Sequence, residues 1–124
     1  MPDAGELAPV LDAAREQLSR LCDRLRTAPE SRLTRHDDRL GGRSLAEAVY
    51  EVAQWAATMQ GITAAVPTVH PLSSGDLLAV VGREFLDSLA TQLANSEPAG
   101  SGRDGLAQAL EQWHQRVDQL RVVV

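Results

Sequence analysis

The sequence predicts an all-α protein: a four-helix bundle, antiparallel and up-down, with a short extra helix between its first two long helices. Three observations predict it. Apolar residues make up 44% of the 124-residue chain but aromatics only 3%, so the core is mostly Leu, Val and Ala, a palette for helix-on-helix packing rather than sheets. Apolar residues recur at spacings of three and four through four separate stretches. Capping tetrads, glycines and prolines mark the ends of those stretches. The length suits one domain, residues 1–124, with one core.

The first helix is expected at about 6–26. Leu7, Leu11, Ala14, Leu18, Leu21 and Leu25 share one stripe. Pro9 fits there if it falls in the first turn. Thr27-Ala-Pro-Glu30 reads as a capping box opening a short helix at about 28–34. Arg35 to Arg43, with Gly41-Gly42, reads as loop.

Ser44 and Glu47 form a second capping box. The helix that follows, about 44–60, carries the stripe Leu45, Val49, Val52, Ala56 and Met59. Gly61 is its expected C′ residue, with Ile62 behind it. Its many alanines predict the most buried helix of the four. Pro67 and Pro71 hold the next stretch extended. Caps at Ser73 to Asp76 open a helix at about 75–94 with the stripe Leu78, Val81, Phe85 and Leu89. Asn95 to Gly102 reads as loop. Ser101 and Asp104 then cap a last helix, about 103–122, with Leu106, Leu110, Trp113, Val117 and Leu120 inside.

The net charge of −5 disfavours general nucleic-acid binding, which draws its affinity from neutralising phosphates. All 12 basic residues are Arg, so lysine chemistry is excluded, and the bias resembles GC-rich actinobacterial coding. Arg24, Arg26, Arg32, Arg35, Arg39 and Arg43 form a locally basic stretch. They are the candidates for binding an anion or a partner, against local ion pairing with Asp23, Glu30, Asp37 and Asp38. There is no signal-peptide pattern and no run of roughly 20 apolar residues, so the expectation is a cytoplasmic protein away from membranes.

Chemistry-bearing patterns are sparse. Glu111 and His114 have Glu-x-x-His spacing, but Glu111 lies about 140° from its helix's stripe and His114 about 80°. No metal site is favoured. If one exists, its ligands are His36, His70 and His114, with Asp37 and Asp38 beside His36. No cofactor is expected. Cys22 flanks the first stripe, either as a buried structural thiol or as one activated by Arg26. Gly82 lies mid-helix, which suggests close approach of a neighbour. Tyr50, about 140° from its helix's stripe, and Trp55, on the opposite edge, are candidates for a self-association surface.

The run Leu18 to Leu33 (LSRLCDRLRTAPESRL), followed by Ser44 to Ala57 (SLAEAVYEVAQWAA), resembles the opening half of DinB-like and maleylpyruvate-isomerase-like bundles. In that family a His near the start of the second helix and two downstream bind a metal used in thiol-dependent transfer. The resemblance implies the bundle. The second helix here carries Glu47 and Glu51 and no His. The resulting expectation is a small non-enzymatic bundle that acts through a protein partner or as a homodimer. The alternatives are a divergent DinB-like enzyme using a metal and a thiol, and a protein with a small anionic ligand.

Overall fold

A computed structural model describes residues 4–95 and 102–124, with side chains described from Leu7 to Asn95 and from Asp104 onward. The described chain is all-α, apart from one small two-stranded pairing. Helix α1 spans Ala4–Thr27 and buries Leu7, Leu11, Ala14, Leu18, Leu21 and Leu25, one stripe at alternating four- and three-residue steps. The helix starts earlier than expected, so Pro9 lies in its second turn instead of its first. One turn precedes the proline, and the amide it lacks would have bonded the carbonyl of Gly5.

Thr27 does not cap the short helix. Its hydroxyl donates back to the carbonyls of Asp23 and Arg24 and so closes α1. Helix α2 is Glu30–Thr34, with Pro29 at its N-cap and no side-chain cap. The segment read as plain loop has more structure than expected. Two-residue strands β1 (His36–Asp37) and β2 (Arg43–Ser44) pair antiparallel around a 3-10 turn at Asp38–Leu40. Gly41 and Gly42, at φ +68° and +84°, make this reversal possible.

Helix α3, Leu45–Met59, opens on the expected capping box. Ser44 Oγ accepts from the Glu47 amide, and Glu47 returns a carboxylate to the Ser44 amide. It ends in a Schellman motif: Gly61 at φ +80°, its amide to Thr58 and the Ile62 amide to Ala57. It buries seven of its 15 residues, against seven of 22 in α4, Ser74–Asn95. The expected stripe was too narrow. Ala48, Ala53 and Ala57 are buried as well, while Met59, expected inside, is 45% exposed. Ala53 and Ala57 are covered by Val66, which sits in the long connection from Gln60 to His70.

A 3-10 turn at Pro71–Ser73, capped by the His70 ring, runs into α4. Its buried face is Leu78, Gly82, Phe85, Leu86 and Leu89; Val81, expected inside, is half-buried. The stripe is turned towards Gly82 because α1 and α5 close there. A Cβ at Gly82 would stand 2.9 Å from both Leu18 Cδ2 and Trp113 Cη2. Helix α4 packs along α1 and along α3, and α5, Gly102–Val123, lies against all three. All four long helices feed one core, in which Phe85 lies 5.2 Å from the rings of both Trp55 and Trp113. The expected cap at Ser101 lies outside the described residues. No helix of the described chain is long and apolar enough to cross a membrane.

Candidate functional site

The connection after α3 is strapped to that helix at one residue. The Tyr50 hydroxyl donates to the Val66 carbonyl at 2.6 Å, and the Val66 amide donates to Gln54 Oε1 at 2.9 Å. The Val66 side chain meanwhile packs on Ala53 and Ala57. Both backbone polar groups of a buried loop residue are thus satisfied, which is what allows the loop to run close over α3. Beyond this anchor, Thr68, Val69 and Pro71 stand off from the first turns of α3 and leave a cleft of about 590 Å³.

Ala46, Tyr50, Val69, Pro71 and Leu77 give the cleft apolar walls, and Thr34, Arg43, Glu47 and Glu51 supply polar groups. Arg43 is doubly held. Its Nε donates to the Leu40 carbonyl at 2.7 Å, and its Nη1 pairs with Glu51. Glu47 is held by its capping box and lies 3.8 Å from His36 Nε2. The two serines lining the cleft are committed to helix starts: Ser44 Oγ accepts from Glu47 N, and Ser74 Oγ donates to the Pro71 carbonyl at 2.7 Å. Neither is placed against a base. The cleft thus sets apolar walls beside charged groups that are already paired.

The arginines divide. Arg26 pairs with Asp76 at 2.8 Å and Asp23 at 3.2 Å, tying α1 to α4. Arg39 grips Asp37 at 2.8 Å and reaches the Val122 carbonyl at 3.4 Å. Its hydrogen bonds hold the Asp37 carboxyl down at about 2. Arg24, Arg32 and Arg35 are exposed, with no ion pair among the described residues. Arg43 alone of the six lines the cleft.

Tyr50, expected to be exposed, and Trp55, expected at the opposite edge of α3, are both half-buried. Tyr50 is half-buried under Val66. Trp55 lies 5.2 Å from Phe85 and 6.5 Å from Trp113, with the Arg116 guanidinium 4.6 Å from its ring centre. The wheel positions were sound, but the Gln60–His70 connection and α5 cover both edges of α3. The three histidines are not brought together. His36 lies by Glu47, His70 is 3.7 Å from Glu30 while its Nδ1 caps Leu72, and His114 is half-buried on α5. Among the described residues no group of three His, Cys, Asp or Glu side chains could hold a metal. Cys22 is buried, and burial raises its thiol to about 11 despite the nearby Arg26.

Sequence reasoning missed Thr68, Val69 and Leu77 as cleft residues. A signal was present in the second small-residue face of α3 (Ala46, Ala53, Ala57), beside Tyr50 and ahead of a segment held extended by Pro67 and Pro71. Comparison with protein-family models, with curated proteins and with solved structures finds no match to this chain.

Proposed function

We propose that this chain is a non-enzymatic binding protein, its four long helices forming an antiparallel up-down bundle, and that a partner protein inserts an apolar side chain into the cleft beside α3. The observation that carries the reading is the cleft. Its volume of about 590 Å³ lies within the range of roughly 300–1,000 Å³ usual for ligand-binding clefts. Apolar walls beside fixed charge pairs are the anatomy of an interface pocket that receives an anchor residue. Of the two alternatives, the metal- and thiol-dependent enzyme has no group of three candidate ligands to support it among the described residues.

The test is peptide selection on the untagged protein, followed by affinity measurement on Ala46→Trp, which fills the cleft. Selected peptides are expected to share one apolar anchor and to lose about tenfold or more in affinity to the variant. Peptides that bind both proteins equally would refute the reading. Native mass spectrometry completes the test. A dimer that Ala46→Trp dissociates makes the partner a second copy of the chain, and a stoichiometric metal overturns the non-enzymatic reading.

A further inference from the structure

A second cavity, a groove of about 410 Å³, runs between α1 and α4. Two ion pairs bracket it. Arg15 of α1 meets Asp87 of α4 at 2.9 Å, and Arg26 meets Asp76 at 2.8 Å. From Arg15 to Arg26 the chain advances along α1 by as many residues as it takes to run back along α4 from Asp87 to Asp76. The helices are therefore antiparallel and in step, and residues on one have counterparts on the other. One turn past Arg15 is Ser19; one turn before Asp87 is Arg83; both line the groove.

The ladder is thus incomplete in the middle. Its outer rungs set a guanidinium against a carboxylate, while the rung between them sets Arg83 against a hydroxyl. Asp87 is taken by Arg15, and Asp76 and Asp23 by Arg26. Arg83 is exposed and has no ion pair or hydrogen bond among the described residues. The groove is open here because Ser19, Cys22 and Ala79 are small. Arg26 and Arg83 both pull against the burial-driven rise of the Cys22 thiol, so both guanidinium groups lie within electrostatic reach of the same floor.

We propose that this groove binds a phosphate-bearing small molecule, its phosphate completing the middle rung on Arg83 and Ser19 between Arg15 and Arg26. Arg83 presents parallel N–H donors to two phosphate oxygens, and Ser19 donates to a third. Arg15 uses one Nη on Asp87 and keeps its other donors for the ligand. The volume exceeds that of a bare phosphate and leaves room for an organic portion along Leu18 and Ala79. The site shares no residue with the cleft beside α3, so either proposal stands or falls without the other.

The test uses the full chain with inorganic phosphate and glycerol phosphate as probes, at constant ionic strength made up with chloride. Thermal unfolding and ³¹P line widths are read for wild type, Arg83→Gln, Ser19→Asp and the exposed control Arg24→Gln. Wild type and Arg24→Gln are expected to gain midpoint saturably with phosphate. Arg83→Gln is expected to weaken binding about tenfold or more. Ser19→Asp supplies the missing carboxylate, so it is expected to raise the midpoint without phosphate and to abolish the phosphate response. An equal response from Arg83→Gln and Arg24→Gln overturns the proposal. So does a wild-type midpoint that stays fixed up to about 10 mM phosphate, a concentration that saturates a millimolar site.

Discussion

Replacing Gly82 with alanine tests how closely α1, α4 and α5 converge. In an open helix interior, Gly→Ala gains about 1 kcal/mol. At Gly82 the new Cβ would meet Leu18 Cδ2 and Trp113 Cη2, each at 2.9 Å, with Leu18 Cδ1 at 3.1 Å. Leu18 is flexible at that end. Trp113 has nowhere to retreat, because Phe85 and Trp55 already pack on it at 5.2 and 6.5 Å. Overpacking of this kind costs about 1–3 kcal/mol, enough to outweigh the gain in propensity. The expected net is a loss of about 1–2 kcal/mol. With a urea m-value of about 1.5 kcal/mol/M, that lowers the unfolding midpoint by roughly 1 M. Two other glycines supply the contrast. At Gly75 the new Cβ would stand 2.9 Å from the Cys22 carbonyl oxygen. That atom is helix backbone and cannot swing aside, so Gly75→Ala is expected to lose at least as much. At Gly105 the Cβ meets nothing within 4 Å, so Gly105→Ala, in the first turn of α5, is expected to gain about 0.5 kcal/mol. Urea titrations of the three variants at unchanged m decide the matter. A Gly82→Ala midpoint above that of the wild type would mean that the three helices stand farther apart than described, and the packing argument would fail.

Three further outcomes are expected. Tyr50→Phe removes the hydroxyl that holds the Val66 carbonyl while leaving the ring against the cluster of Ala53, Ala57 and Val66; it should lower stability by about 1 kcal/mol and speed amide exchange at Val66 above that of the α3 core. Cys22, with its thiol raised to about 11, should resist iodoacetamide at neutral pH. Its neutral form is favoured by folding, so its contribution is intact below the unfolded value of about 8.5 and is lost as pH rises towards 11; Cys22→Ala should lack this alkaline loss in a pH series of urea midpoints. Asp37 has the opposite sign. Its carboxyl is held down at about 2, so its contribution is present above the unfolded value of about 3.9 and disappears as pH falls towards 2. The stability difference between wild type and Asp37→Asn should close over that window, and a difference constant with pH would contradict the Arg39–Asp37 pairing.

What the sequence by itself determined is whatever depends on near neighbours in the chain. The stripe Leu7 to Leu25, the Ser44–Glu47 capping box and the Gly61 terminus are written in spacings of a few residues, because helical periodicity and capping are local. The same locality explains Thr27. Its hydroxyl had two uses within reach, capping α2 or closing α1, and sequence spacing does not rank them. Tertiary structure decided everything that needed two distant segments side by side. Tyr50 has the wheel position of a surface residue and Trp55 that of an edge residue, and Val66 and α5 leave each of them half-buried. The cleft exists because Pro67 and Pro71 carry the chain past α3 after Val66 is anchored there. The groove's arginines are unremarkable one at a time. Arg15, Arg26 and Arg83 come to line one groove only through the in-step, antiparallel pairing of α1 with α4, and that register is supported by close packing at Gly82 and Gly75 across a long stretch of intervening chain.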